Sequence, residues 1–244
     1  MMLFDLLGES APPAPPRRSA LFFAALTALL LLASAALQLR ASAARWVEFG
    51  STVGDNELSV ESDQYDYFFP AGEFFPLPHT GIPLGIALLI QAAAMLCLLA
   101  TLIGVRERTS RAVFFTALPL GVLAALGFAL QGLHAWLSAF EQQPSALADS
   151  WLVSLALLIA FLALCALSIL CCFSIPLLGI AAAFLLGSTM IGYFISSSLL
   201  APLLTGYVSH DTTPGTETIV ALSTAAASLT MLAGLITLTV QRRK

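Results

Sequence analysis

Three histidines, His79, His134 and His210, and four cysteines, Cys97, Cys165, Cys171 and Cys172, are the side chains of this chain best suited to hold a metal or move a proton. Imidazole titrates near neutral pH and binds borderline metals, so three of them beside carboxylates could form a metal or pH-sensing site. Their spacing argues against it, because no two share a helical turn or a short loop. We expect three exposed or loop-packed histidines and no bound metal or cofactor. The cysteines all lie inside or at the end of apolar segments, where cysteine acts as a small buried hydrophobe. Cys171 and Cys172 are adjacent and have neither metal-type spacing nor a histidine nearby.

Motifs that position phosphates, nucleotides or catalytic zinc are missing. The chain has no G-x-x-x-x-G-K-[ST], no strand-linked G-x-G-x-x-G, no H-E-x-x-H and no C-x-x-C. Nor does it hold a basic domain suited to nucleic acid. The reading that follows is of a non-enzymatic protein with no nucleic-acid partner; the sequence names no small-molecule ligand.

What remains chemically distinctive is a polar island over residues 41–82. It carries half of the chain's fourteen acidic residues, Glu48, Asp55, Glu57, Glu61, Asp63, Asp66 and Glu73. It also carries an aromatic run, Tyr65, Tyr67, Phe68, Phe69, Phe74 and Phe75, interrupted by Pro70 and closed by Pro76. A solvated loop has no use for four phenylalanines, so they either dip into a lipid leaflet or form a docking surface. These six aromatics are the candidate partner-binding residues. Around Gly54-Asp55-Asn56, the segments Trp46–Phe49 and Leu58–Glu61 alternate in part, which predicts a small β-hairpin.

The elements that position this island are set by composition. Of 244 residues, 59% are hydrophobic and only 10% charged, with a mean hydropathy of +0.92. Soluble domains are about a quarter charged, so the lipid bilayer is the expected solvent. At about 20 apolar residues per crossing, the apolar segments supply six spans, about 20–39, 83–105, 112–135, 151–173, 177–200 and 218–240. The fold class is thus an all-α integral membrane protein, a six-helix transmembrane bundle with an outer loop of about 42 residues between helices 1 and 2. Residues 1–19 form a Pro-rich tail, 20–240 a single transmembrane domain and 241–244 a basic end.

Two boundaries carry specific expectations. The apolar run 151–207 has no charge and is too long for one crossing; Ser174-Ile175-Pro176 is its natural break, because proline removes a helical hydrogen bond. Ser196–Ser198 and Pro202 predict bending or fraying near the outer end of the fifth helix. The first span, preceded by Arg17-Arg18 and followed by Ala41-Ser42-Ala43, resembles a secretory signal but is longer than a signal core of about 7 to 15 residues, so an uncleaved anchor is expected.

Charge gives the orientation. With six spans, eight basic residues (Arg17, Arg18, Arg106, Arg108, Arg111, Arg242, Arg243 and Lys244) face three acids on one side. On the other side eleven acids face Arg40 and Arg45. The positive-inside rule makes the first side cytoplasmic, with both termini there, in a plasma membrane. Trp46, Trp136 and Trp151 then fall near the outer interface, as amphipathic rings prefer. A single lysine and a single asparagine amid heavy alanine and leucine use resemble a bacterial composition.

No Asp, Glu, Lys or Arg lies within any predicted span, which argues against an ion-coupled pump, because intramembrane charges are costly and mark function. Gln91, Gln131, Thr101, Thr116 and the span serines are expected to bond between helices. Gly81 and Gly85 fit a GxxxG pattern and Ala24 and Ala28 an AxxxA pattern, both favouring close helix packing. The functional expectation is an accessory or partner-binding subunit of an envelope or transport complex, acting through the acidic and aromatic outer loop on a membrane-protein partner. The alternative is a small transporter or channel subunit for a neutral or weakly charged solute.

Overall fold

Residues 18–43 run without glycine or proline and are rich in alanine and leucine, so nothing interrupts helical hydrogen bonding there. In a computed structural model, which describes residues 15–48, 78–105, 111–147, 150–206, 213 and 215–243, this segment is α1 (Arg18–Ala43). It continues as a π-helical turn, Ala44–Glu48. Long helices follow at α2 (Pro78–Gly104), α3 (Arg111–Glu141) and α4 (Trp151–Ser174). Pro176 opens α5 (Pro176–Leu185), where its missing N–H costs nothing. A 3₁₀ turn (Leu186–Ser188), α6 (Met190–Ile195), a π turn (Ser196–Leu200) and α7 (Ala201–Thr205) complete that region. Gly206, at φ 72°, stops α7 in the left-handed conformation that glycine adopts without strain. The last helix is α8 (Thr216–Arg243).

Each of α1 to α5 packs on its chain neighbour, and α8 returns to lie between α5 and α1, closing a ring of helices. Leu31, Leu84, Leu88, Met95, Leu98, Phe128, Leu164, Leu185 and Met231 fill its centre. The outside is also apolar. Phe22, Leu29, Phe115, Trp151, Leu162, Leu203 and Ile236 are exposed, and Phe173 is 88% exposed. Water would not tolerate such a surface over a whole molecule, whereas acyl chains would. Five helices are long and apolar enough to cross a membrane, and the bent pair formed by 176–188 and 190–205 supplies comparable apolar length.

Helix contacts follow the small residues. Gly85 of α2 and Gly132 of α3 meet backbone to backbone; a Cβ on Gly85 would lie 2.6 Å from the Trp136 nitrogen, and one on Gly132 would lie 2.8 Å from the Gly85 carbonyl. Gly81 packs on Ala139 in the same crossing. Ala24 and Ala28 are buried, and the Ser228 hydroxyl of α8 donates to the Ala28 carbonyl across 2.7 Å. At the start of α1 the Arg17 N–H donates to the Gly104 carbonyl.

Three expectations are corrected. Trp46 to Glu48 are helical, so they do not form the first strand of a hairpin; among the described residues no strand occurs. The physical reason is continuity, since Ala41 to Ala44 hold helical hydrogen bonds straight into the π turn. The fifth apolar segment is not one helix. It bends by 67° at Thr189, which takes an extended φ of −79° and ψ of 162°, while its hydroxyl accepts from the Gly192 N–H. The expected irregularity at Ser196–Leu200 is present as a π turn, but the large change of direction lies at Thr189, where Gly187 and a capping threonine start a new helix. Finally, α1 and α8 extend beyond the predicted spans and bring charge into the packed interior.

Candidate functional site

The charge enters from two helix ends. Arg45 lies in the π turn that prolongs α1, and Glu217 lies in the first turn of α8, where the helix N-terminus favours a carboxylate. Both side chains are fully buried, and Arg45 Nη1 donates to Glu217 Oε1. Two further groups complete the carboxylate's partners. The Tyr193 hydroxyl of α6 donates to Oε1 at 3.0 Å, and Trp46 Nε1 donates to Oε2 at 2.7 Å. Arg45 Nη1 also reaches the Tyr193 oxygen at 3.3 Å, and its guanidinium carbon stands 4.7 Å from the centre of the Trp46 ring. A hydroxyl pair, Ser42 and Thr218 at 2.8 Å, joins the same two helices beside the ion pair.

A buried ion pair is stabilising only when its remaining hydrogen-bonding capacity is met. The carboxylate meets that condition through Tyr193 and Trp46. Counting 1.5 Å per residue, Arg45 lies about 40 Å along the helix from Arg18, and the hydrocarbon core is about 30 Å thick. The pair therefore sits toward one end of the bundle, opposite Arg18 and Arg242, and not at mid-depth.

Below it, a second polar cluster crosses the ring. Gln38 Nε2 of α1 donates to Ser34 Oγ (3.2 Å) and to Gln91 Oε1 of α2 (3.3 Å). Gln91 Nε2 donates to Ser188 Oγ (2.9 Å) and to Thr224 Oγ1 of α8 (3.4 Å), and Thr224 donates to Gln38 Oε1 (3.0 Å). Ser188 and Thr224 are themselves 2.9 Å apart, and Ser34 donates to the Ala87 carbonyl. Every member is buried. Ser188 belongs to the 3₁₀ turn immediately before the 67° bend, and Tyr193 to the helix immediately after it. The two arms of the broken segment are thus fastened to different polar clusters.

The other interior polar groups divide. Thr101 and Thr116 do not bond between helices; each donates to the carbonyl four residues earlier in its own helix, Cys97 and Ala112 respectively. Gln131 is buried in a crevice with Thr189 and Met190, and among the described residues its Nε2 has no hydrogen-bond partner. His134 is buried, with Nδ1 2.8 Å from Ser145 Oγ, so it ties the α3–α4 connection to α3. His79 is exposed at the start of α2. Among the described residues no group of His, Cys, Asp or Glu could hold a metal, and the four cysteines are free thiols. The candidate partner-binding aromatics Tyr65, Tyr67, Phe68, Phe69, Phe74 and Phe75 lie outside the described residues, as does His210.

Sequence reasoning missed the ion pair because it stopped each span at the last apolar residue. A signal was nevertheless present. In the topology predicted from charge, Arg40 and Arg45 are the two bases assigned to the acidic side, and both are paired in the structure: Arg40 with Glu48 in a half-exposed bridge at 2.8 Å, Arg45 with Glu217.

The apolar exterior, the long helices and the buried polar clusters define a helical protein embedded in a membrane. No protein-family model matches the chain, and no curated protein or solved structure is significantly similar to it.

Proposed function

We propose that this chain is a non-enzymatic, six-span plasma-membrane protein, with both termini cytoplasmic, that serves as an accessory, partner-binding subunit of an envelope or transport complex. The observation that carries this reading is the clamp at the root of the outer segment. Arg45, Trp46, Glu217 and Tyr193 fasten α1, α6 and α8 together immediately before residues 49–77 begin. A bundle that spends a fully buried ion pair on that point presents the acidic and aromatic segment from a fixed base. The bulk of the segment's chemistry, seven aromatics among acids, suits a membrane-protein partner with a basic, apolar-edged surface.

A second reading, a transporter or channel subunit for a neutral or weakly charged solute, is favoured by the bend at Thr189 beside the unpartnered Gln131 amide. Broken helices near polar groups are a recurring feature of transporter sites. One pair of experiments separates the two. Purification from native membranes in mild detergent should yield a stoichiometric partner that is lost when residues 65–77 are replaced by a Gly/Ser linker. Solute flux through liposomes containing the pure protein, unaffected by that replacement, would sink the first reading and establish the second.

A further inference from the structure

At the basic end of the bundle a groove of about 170 Å³ lies between the end of α2 (Val105), the α4–α5 turn (Ile175, Pro176) and α8 (Gly234, Leu238, Gln241). From its dimensions, lining and surrounding charge we infer that it binds an anionic phospholipid, one acyl chain in the groove and the phosphate at Arg242 and Arg243. Pockets for small-molecule solutes run to about 300–1,000 Å³, so this one suits a slender chain better than a ring-sized solute. Its walls are apolar except for Thr237 and Gln241.

Gly234 keeps the groove open. A Cβ there would meet only Leu177 Cβ at an ordinary 3.6 Å, unlike Gly85 or Gly104, where a Cβ would press within 3.0 Å on a neighbouring helix. Helix packing therefore does not demand glycine at this position, and its missing side chain is space on the groove wall.

The charge stands where a headgroup would lie. Leu238 lines the groove, and Arg242, four residues on, shares its face of α8. Arg243 follows and is exposed, and neither arginine has a carboxylate within ion-pair distance among the described residues. Arg17 is close by, since its N–H binds the carbonyl of Gly104, the residue before Val105. Basic pockets between membrane helices select anionic headgroups by this combination of chain slot and cationic rim.

The test uses full-length protein in mild detergent, titrated with dioleoylphosphatidylglycerol or dioleoylphosphatidylcholine and read by native mass spectrometry. The expected result is about tenfold stronger retention of the glycerol lipid, falling to near parity in R242Q/R243Q. Gly234→Leu, which fills the slot, should lower retention of the glycerol lipid severalfold with the arginines intact. Equal retention of both lipids by the unaltered protein would overturn the assignment without recourse to any variant. So would undiminished preference in R242Q/R243Q, or displacement of the lipid by millimolar inorganic phosphate, which would show charge recognition without a chain slot.

Discussion

Arg45 and Glu217 stand 172 residues apart in sequence and form a fully buried ion pair between the first and last helices. Nothing in either helix alone calls for it. Breaking such a pair leaves an uncompensated buried charge, which costs about 3–5 kcal/mol. Glu217→Ala and Arg45→Ala should each lower stability by that amount in detergent unfolding. The double replacement R45M/E217L should recover much of the loss, since apolar residues of similar volume often replace a buried pair without penalty. Equal losses for single and double variants would mean that the ion pair is not what joins these helices.

Tyr193 gives a smaller effect of the same kind. Tyr193→Phe keeps the ring and removes the hydroxyl that donates to Glu217. A hydrogen bond to a charged group contributes about 1.5–3 kcal/mol, so this variant should fall between the parent protein and Glu217→Ala. Because Tyr193 follows the bend, proteolysis of 190–205 should accelerate in the variant while that of α2 does not.

Gln91 should matter less than its central position suggests. Replacing it by leucine removes bonds to Gln38, Ser188 and Thr224. Those three retain bonds to one another or to Ser34, and interhelical hydrogen bonds in membranes average about 0.6 kcal/mol with a maximum near 1.7. A loss below about 2 kcal/mol in equilibrium unfolding is expected; complete failure to fold would show that the cluster acts as a single unit.

At the α2–α3 crossing the cost is steric. Gly85→Leu places atoms where the Trp136 backbone already lies, and the two helices must separate. Gly85→Leu should lower stability in detergent unfolding by about 1–3 kcal/mol, the usual cost of overpacking, and an unchanged stability would show that the crossing yields without loss.

The membrane-embedded, helical class was legible in the sequence because it rests on composition and on the length of apolar runs, which tertiary contacts do not alter. The break before Pro176 was legible for a covalent reason, the missing N–H. The bend at Thr189 was not, since threonine and glycine inside an apolar run are common and only the capping geometry turns them into a joint. The ion pair escaped notice because hydropathy ends a span where charge begins, whereas the helices of Arg45 and Glu217 continue past that edge and pack there. Gln38, which hydropathy does not single out at the end of the first apolar run, is a centre of the interior network because three partners from α1, α2 and α8 converge on it. The aromatics between Tyr65 and Phe75 were prominent in the sequence, and they lie outside the described residues.

The separation of Arg45 from Glu217 also has a temporal side. At ribosomal speeds of about 5–20 residues per second, the 172 residues between them take roughly 10–35 s to synthesise. For that interval the arginine is in place without its carboxylate, and α1 cannot complete its final contacts. Insertion of α8 supplies Glu217, so the first helix is locked only by an element made 172 residues later.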